Sequence, residues 1–303
     1  MKHIKLTVAA LSIILLVTSC KKDPNLVTTT DPVGAPIIVA PVAPPTASTD
    51  SSIILGNPSG ASDDALDTSN FLMRELYYAV SYNRDLGRPN WVSWHVVPSD
   101  YGAVSRLEDF RENPNLPSGW YQVTATSFAP YTTYGFDKGH MCPSADRTSS
   151  PEANSSTFLM TNIIAQAPNN NQLTWARLEN YCRDSLVKRY GNELYIIAGT
   201  LDEGGIGKYG PYSTLDNGRV SVPAFVWKVI VVIPSGSGPN DISNVKNTTR
   251  VISVMMPNDQ NIGTNWRQYR TSVDAIEQQT GYDIISKVSP SVQNVIEARI
   301  DNL

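Results

Sequence analysis

The stretch from Tyr134 to Arg183 constrains this chain more than any other, because it gathers the groups of a hydrolytic site in one short span. It opens with Phe136-Asp137-Lys138-Gly139-His140-Met141-Cys142-Pro143. It closes with Asn162-Ile163-Ile164-Ala165-Gln166-Ala167-Pro168, then Asn171, Trp175, Glu179 and Arg183. A histidine beside an aspartate supplies a proton acceptor near neutral pH. The amide of Asn171 offers a hard oxygen suited to Mg²⁺, a cation that takes few protein ligands and keeps most of its waters. Glu179 can hold such waters, and Arg183 can neutralise a phosphate that gains charge. Base, hard metal, water holder and arginine together describe metal-assisted phosphodiester hydrolysis.

Gln172 to Arg189 has few helix breakers and is predicted to be a helix. At about 100° per residue, Asn171, Trp175, Glu179 and Arg183 advance only about 40° at each four-residue step. They form one slowly turning stripe, with the metal ligand at the helix start. Taken singly, each fits an ordinary amphipathic helix that buries Trp175 and Leu178. The set points to a site.

The same residues resemble the DNA/RNA non-specific endonucleases of the ββα-metal (His-Me finger) superfamily. That family's signature is Asp-Arg-Gly-His, then Asn-x-x-x-Gln, then Asn-x-x-x-Trp-x-x-x-Glu. Here it is matched by Asp137-Lys138-Gly139-His140, by Asn162 with Gln166, and by Asn171, Trp175 and Glu179. Lys138 departs from the usual arginine, keeping the charge but losing the bidentate fork. The resemblance runs from about Leu55 to Glu297. It implies an α+β fold, a mixed, mainly antiparallel central sheet flanked by helices, with a ββα-metal finger as active site. It also implies roles: His140 as general base, Mg²⁺ (with Mn²⁺ as the alternative) on Asn171, and Asp137 and Glu179 holding metal waters. Arg183 would stabilise the pentavalent phosphorus, with Lys138 adding positive potential. His95 and Arg147 are expected as substrate contacts. Asn162 is grouped with them, as support for the metal site or for the loop carrying His140. The implied partners are DNA and RNA, held through phosphates rather than bases.

Two other readings compete. A surface-anchored binding lipoprotein could keep this fold without catalysis, but it has no need of His140, Asn171 and Glu179 together. A serine hydrolase pairing His140 with Ser144 lacks a Gly-x-Ser-x-Gly elbow.

Met1 to Cys20 reads as a lipoprotein signal peptide. Lys2, His3 and Lys5 precede an apolar run, Leu6 to Val17, that is too short to span a bilayer. The run ends Val17-Thr18-Ser19-Cys20, a bacterial lipobox pattern that predicts export and lipid anchoring through Cys20 to a membrane, facing the periplasm or the outside. Residues 21–52, rich in proline and threonine, are expected to be an extended tether. Residues 53–303 form the expected endonuclease domain, long enough for one substantial core. A net charge of −4 argues against a general nucleic-acid coat protein but leaves room for a local cationic groove.

Glu75 to Tyr82 and Trp91 to Val97 are expected strands joined by a hairpin turn, and Arg111 to Tyr131 a loop that wraps toward the site. Thr157 to Ala165, Glu193 to Ala198, Val222 to Ile233 and Arg250 to Met256 are further expected strands. Two helices close the chain, one capped by Ser272 and stopped at Gly281, the other from Ser291 to Ile300. Cys142 and Cys182 either form a disulfide, worth roughly 3–4 kcal/mol for a loop of that length, or stay as free thiols.

Overall fold

The computed structural model describes residues 28–30, 36–38, 51–129, 131–236 and 242–303. Cys20 and the signal segment lie outside the described residues. The chain divides between Ser48 and Thr49 into two units. In the first, β1 (Thr28–Thr30) pairs antiparallel with β2 (Pro36–Ile38), so this part of the expected tether is a short β pair. Its β-branched Thr28-Thr29-Thr30 and Ile37-Ile38 favour that backbone.

The second unit carries the rest. Its strands begin with β3 (Phe71–Arg74), β4 (Ala79–Asn83), β5 (Arg88–Val96), β6 (Asp137–His140) and β7 (Ile163–Gln166). They continue with β8 (Asn192–Leu201), β9 (Gly205–Gly207), β10 (Gly210–Tyr212), β11 (Thr214–Leu215) and β12 (Val220–Ser221). Last come β13 (Phe225–Pro234), β14 (Arg250–Pro257) and β15 (Arg270–Thr271). Seven of these form the main sheet, in the order β15-β14-β13-β8-β5-β4-β3, with every neighbouring pair antiparallel. The expected mixed α+β architecture is therefore observed. The first expected strand begins only at Ala79, because Glu75 to Tyr78 bend between β3 and β4.

Period-2 alternation divides the sheet's side chains between two cores. Ile196, Ile230 and Ile252 meet Trp175, Leu178 and Cys182 of the long helix on one face. Ile197, Val229 and Val231 meet Val273, Ile276 and Ile296 on the other. The run Val229 to Ile233 is covered on both sides, as its unbroken apolar character requires. A smaller third cluster, including Phe136, Met160 and Ile163, underlies the β6–β7 pair.

The short helices are α1 (Tyr131–Tyr134) and α2 (Pro151–Ser156). Next, α3 (Ala176–Asn180) continues without a break from a π-helical turn at Asn170–Trp175 into another at Tyr181–Arg189. Finally α4 (Val273–Thr280) and α5 (Pro290–Ile296) close the fold. Ser272 caps α4 by accepting from the Ala275 amide, and Gly281 ends it at φ +74°, both as expected.

Other expected elements differ as well: the strand expected from Val222 starts at Phe225. The strand predicted from Thr157 starts only at Ile163, after a 3-10 turn at Met160–Asn162. Side chains compete for the backbone there: Asn162 Nδ2 donates to the Thr157 carbonyl at 2.8 Å, and Thr157 Oγ1 to that of Asn154 at 2.7 Å. The last helix ends at Ile296 rather than Ile300. Asp301 is drawn instead to Arg250, with contacts of 2.7 and 2.9 Å.

Asn162 also pins the segment after β6. Its Oδ1 accepts from the Cys142 amide, and its Nδ2 donates to the Cys142 carbonyl, both at 2.9 Å and all buried. Asn162→Ala leaves those backbone groups unpaired and should cost about 2–4 kcal/mol. The expected readout is a lower urea midpoint with an unchanged m-value.

Candidate active site

Two strands and a helix frame the site. In the β6–β7 pair, Gly139 lies opposite Ile164 and His140 opposite Ile163. Position 139 accepts only glycine, since a Cβ there would lie 2.1 Å from Gln166 Oε1. Gln166 Nε2 in turn donates to Asn170 Oδ1 at 2.7 Å, and Asn170 Nδ2 to the Pro257 carbonyl at 2.7 Å. The finger strand thereby sets where the long helix begins.

A cleft of about 240 Å³ opens between these elements, with Lys138, His140, Asn171, Glu179 and Arg183 in its walls. Five of the expected site residues thus come together. His140 is 7% exposed and sits between the rings of Phe110 and Phe158, at 5.4 and 4.9 Å. Its Nε2 is buried with no hydrogen-bond partner. Burial, then the nearby charge of Arg106, pull its pKa down to about 3. The ring is therefore neutral at physiological pH.

Asn171 Nδ2 donates to Asp137 Oδ2 at 2.9 Å, and Gln172 Nε2 donates to the same oxygen at 2.7 Å. Asp137 Oδ2 is thus engaged in orienting Asn171. With its donor committed, Asn171 presents Oδ1 as a neutral, hard ligand. One amide oxygen in a cleft shared with a carboxylate suits a small divalent cation that retains its waters.

Glu179 is held from below. Lys228 Nζ, on β13, lies 3.3 Å from its Oε1. Burial raises the Glu179 pKa, the lysine charge pulls it back, and Asp146 adds to the rise. Arg183 lies 3.7 Å from Asp146 Oδ1 and also bonds Asn180. Asp146 is fixed by Trp94 Nε1 at 3.2 Å.

The stripe expected on the helix is split. Asn171, Glu179 and Arg183 face the cleft, but Trp175 is buried in the sheet-side core and Ala176 takes its place in the wall. The i→i+5 bonding of the π segments packs more residues into each turn than an α-helix and changes which of them share a face.

Three expected substrate contacts lie elsewhere. Arg147 is buried, and its guanidinium is used on the carbonyls of Asp146, Tyr77 and His95 at 2.8–2.9 Å. His95 stands beside Glu193 at 3.1 Å and stacks on Tyr195. Asn162 is fully buried and holds the chain after His140, the second of the roles expected for it. The disulfide is absent: Cys142 and Cys182 are free thiols, and burial pushes each up to about 12.

Residues that the sequence did not single out complete the cleft. Arg106 lines it and donates to Ser144 Oγ at 2.9 Å, so Ser144 serves the arginine rather than His140. Phe110 covers His140 and carries Lys138 Nζ 4.5 Å above its ring. No local motif marks Arg106 or Phe110. Lys228 did carry a signal, as a lone lysine in the apolar run Trp227 to Ile233.

The shift on His140 has a definite sign. An unfolded histidine binds its proton below about 6.5, the folded one only below about 3. This contribution to stability is full above the unfolded value and falls as pH drops between the two. In the metal-free protein the His140 ring resonances should not titrate from pH 8 to pH 5 by NMR. An inflection between pH 6 and 7 would contradict the buried, desolvated ring.

Comparisons with known proteins fit this geometry. A sequence model described as DNA/RNA non-specific endonuclease matches residues 57–291. A nuclease of Nostoc sp. is 46% identical over 251 residues, covering 82% of this chain and 86% of that protein. Nuclease C1 of Cunninghamella echinulata is 33% identical over 189 residues, covering 60% and 69% respectively. In fold, the chain matches a crystal structure of an EndoG/EndoGI complex with a TM-score of 0.61 at 22% identity, covering 78% of this chain and 91% of that one. The finger, the cleft and the match over most of the length lead to one assignment: this chain belongs to the DNA/RNA non-specific endonuclease family.

Proposed function

We propose that the protein is a metal-dependent, sugar-non-specific endonuclease that hydrolyses phosphodiester bonds of DNA and RNA. His140 is its general base, and Asn171 holds Mg²⁺, or Mn²⁺ in its place. The observation that carries this reading is the Asp137–Asn171 bond, 2.9 Å long, which fixes a hard oxygen in the same cleft as a neutral, buried histidine.

The cleft gathers Arg106, Lys138 and Arg183 against the single carboxylate of Glu179, on a chain whose net charge is −4. Such a local field draws in a polyanion in spite of the overall charge. Cations recognise phosphates without reading bases, which supports cleavage with little sequence preference. A bound phosphodiester offsets the charge of Arg106, which otherwise discourages a proton on His140. Substrate binding therefore relieves the smaller of the two effects that hold the His140 pKa down, while burial stays the larger. His140 then takes the proton of the attacking water, and Arg183 meets the charge that develops on the phosphate oxygens. Glu179, paired with Lys228, orients water near Asn171. Asn171 would hold a divalent cation, which when bound would supply Lewis-acid stabilisation of the developing charge.

The full chain should nick supercoiled plasmid and degrade RNA with Mg²⁺, and EDTA should stop both. His140→Ala should lose about 10²–10⁴-fold in turnover while still binding metal and substrate. Asn171→Ala should show a weaker metal response, part of its loss recovered at high Mg²⁺. Full activity in His140→Ala would displace this site, and an inactive wild type would favour the binding lipoprotein.

The Val17-Thr18-Ser19-Cys20 sequence supports export and a lipid anchor on Cys20, which would hold the enzyme at a bacterial membrane. Cys20→Ala should move the protein to the soluble fraction or leave it unprocessed. Unchanged membrane partition with an unmodified Cys20 by mass spectrometry would rule the anchor out.

A further inference from the structure

The sheet face opposite the long helix holds a second group of oxygen ligands that the nuclease chemistry does not use. Asp274 and Glu277 stand on α4, and Glu297 follows the last turn of α5. One carboxylate oxygen from each lies within 4.8 Å of the others. Glu297 is only 7% exposed, and its Oε1 is buried without a hydrogen-bond partner. None of the three carboxylates forms an ion pair with lysine or arginine among the described residues.

This arrangement is costly unless something compensates it. A buried carboxylate oxygen without a donor forfeits its hydration, and two like charges beside it add repulsion. The backbone nevertheless holds the group together: the Asp274 amide donates to the Glu297 carbonyl at 3.2 Å. Glu277 Oε1 accepts from the Ile284 amide at 2.7 Å, so that side chain is fixed as well. Ca²⁺ takes oxygen ligands at about 2.3–2.6 Å in flexible geometry, which three carboxylate oxygens within 4.8 Å of one another can meet. Mg²⁺ requires shorter, octahedral contacts, and Zn²⁺ prefers the nitrogen and sulfur ligands that are missing from this set.

We propose that Asp274, Glu277 and Glu297 form a structural calcium site, distinct from the catalytic cleft, that clasps α4 to the end of α5. Water completes the coordination shell, since Asp274 is exposed. The site lies over the second core, where Val273, Ile276 and Ile296 pack on the sheet, so its filling secures the C-terminal part of the domain. Few protein ligands and partial exposure place its affinity with extracellular calcium modules, in the range of about 10⁻⁴–10⁻³ M.

The test uses the full chain, stripped with EDTA, in an Asn171→Ala background that removes the proposed catalytic ligand. Its outcome is therefore independent of the nuclease reading. Thermal melts are followed as CaCl₂ rises to roughly 10 mM, about ten to a hundred times the expected dissociation constant. A saturable rise in Tm of about 3–8 °C is expected, with one Ca²⁺ bound per chain by calorimetric titration. Glu297→Gln should abolish the calcium-dependent rise, whatever its effect on the calcium-free Tm. Asp274→Asn, at an exposed position, should weaken it and serves as the check should Glu297→Gln fold poorly. A Tm that ignores Ca²⁺, or a rise that both variants retain in full, would overturn the site.

Discussion

The structure depends on a single buried charge. Lys228 is 1% exposed, on a strand at the centre of the sheet, with its ammonium 4.1 Å from the ring of Trp175 and 5.4 Å from that of Trp94. An ammonium so placed costs several kcal/mol unless an anion meets it, and Glu179 does so at 3.3 Å. Removing either partner strands the other and costs about 3–5 kcal/mol by the usual measure of such pairs. The consequence reaches function, because Glu179 belongs to the cleft. Charge then passes along the helix to Arg183, across to Asp146 and back to the sheet through Trp94. The helix that carries the chemistry is thus registered against the sheet by electrostatics as well as by apolar packing.

The helix turns Asn171, Glu179 and Arg183 toward the cleft while Trp175 covers Lys228 on the sheet side. π segments stand before and after α3. π turns are rare and often mark functional sites, and here the unusual winding coincides with Asn171 at one end of the cleft and Arg183 at the other.

His140 shows the complementary strategy, in which polarity is withheld. Phe110, Phe158 and a neighbouring arginine keep the ring neutral. The same dryness decides the cysteines. Cys142 and Cys182 lie in the core with thiols pushed up to about 12, where they act as small apolar side chains and not as a bridge.

The sequence by itself determined which groups exist and which backbone elements carry them. Asp137, His140, Asn171, Glu179 and Arg183 were legible from spacing and from family resemblance, and the fold gathers them around one cleft. Alternation and caps gave the central strands and α4, whose patterns are local. Tertiary structure alone decided what each polar side chain finds as a partner. Arg147 reads as a substrate contact in the sequence, yet buried carbonyls claim it, because an unsatisfied backbone group in the core costs more than a surface contact returns. Arg106 and Phe110 could not be found in advance, since only folding brings that loop over His140. Likewise Lys228 stood out in its strand, but nothing short of the folded sheet and helix could show that its charge answers Glu179. Pairing across the fold depends on distance in space, which spacing along a chain fixes only within a single element.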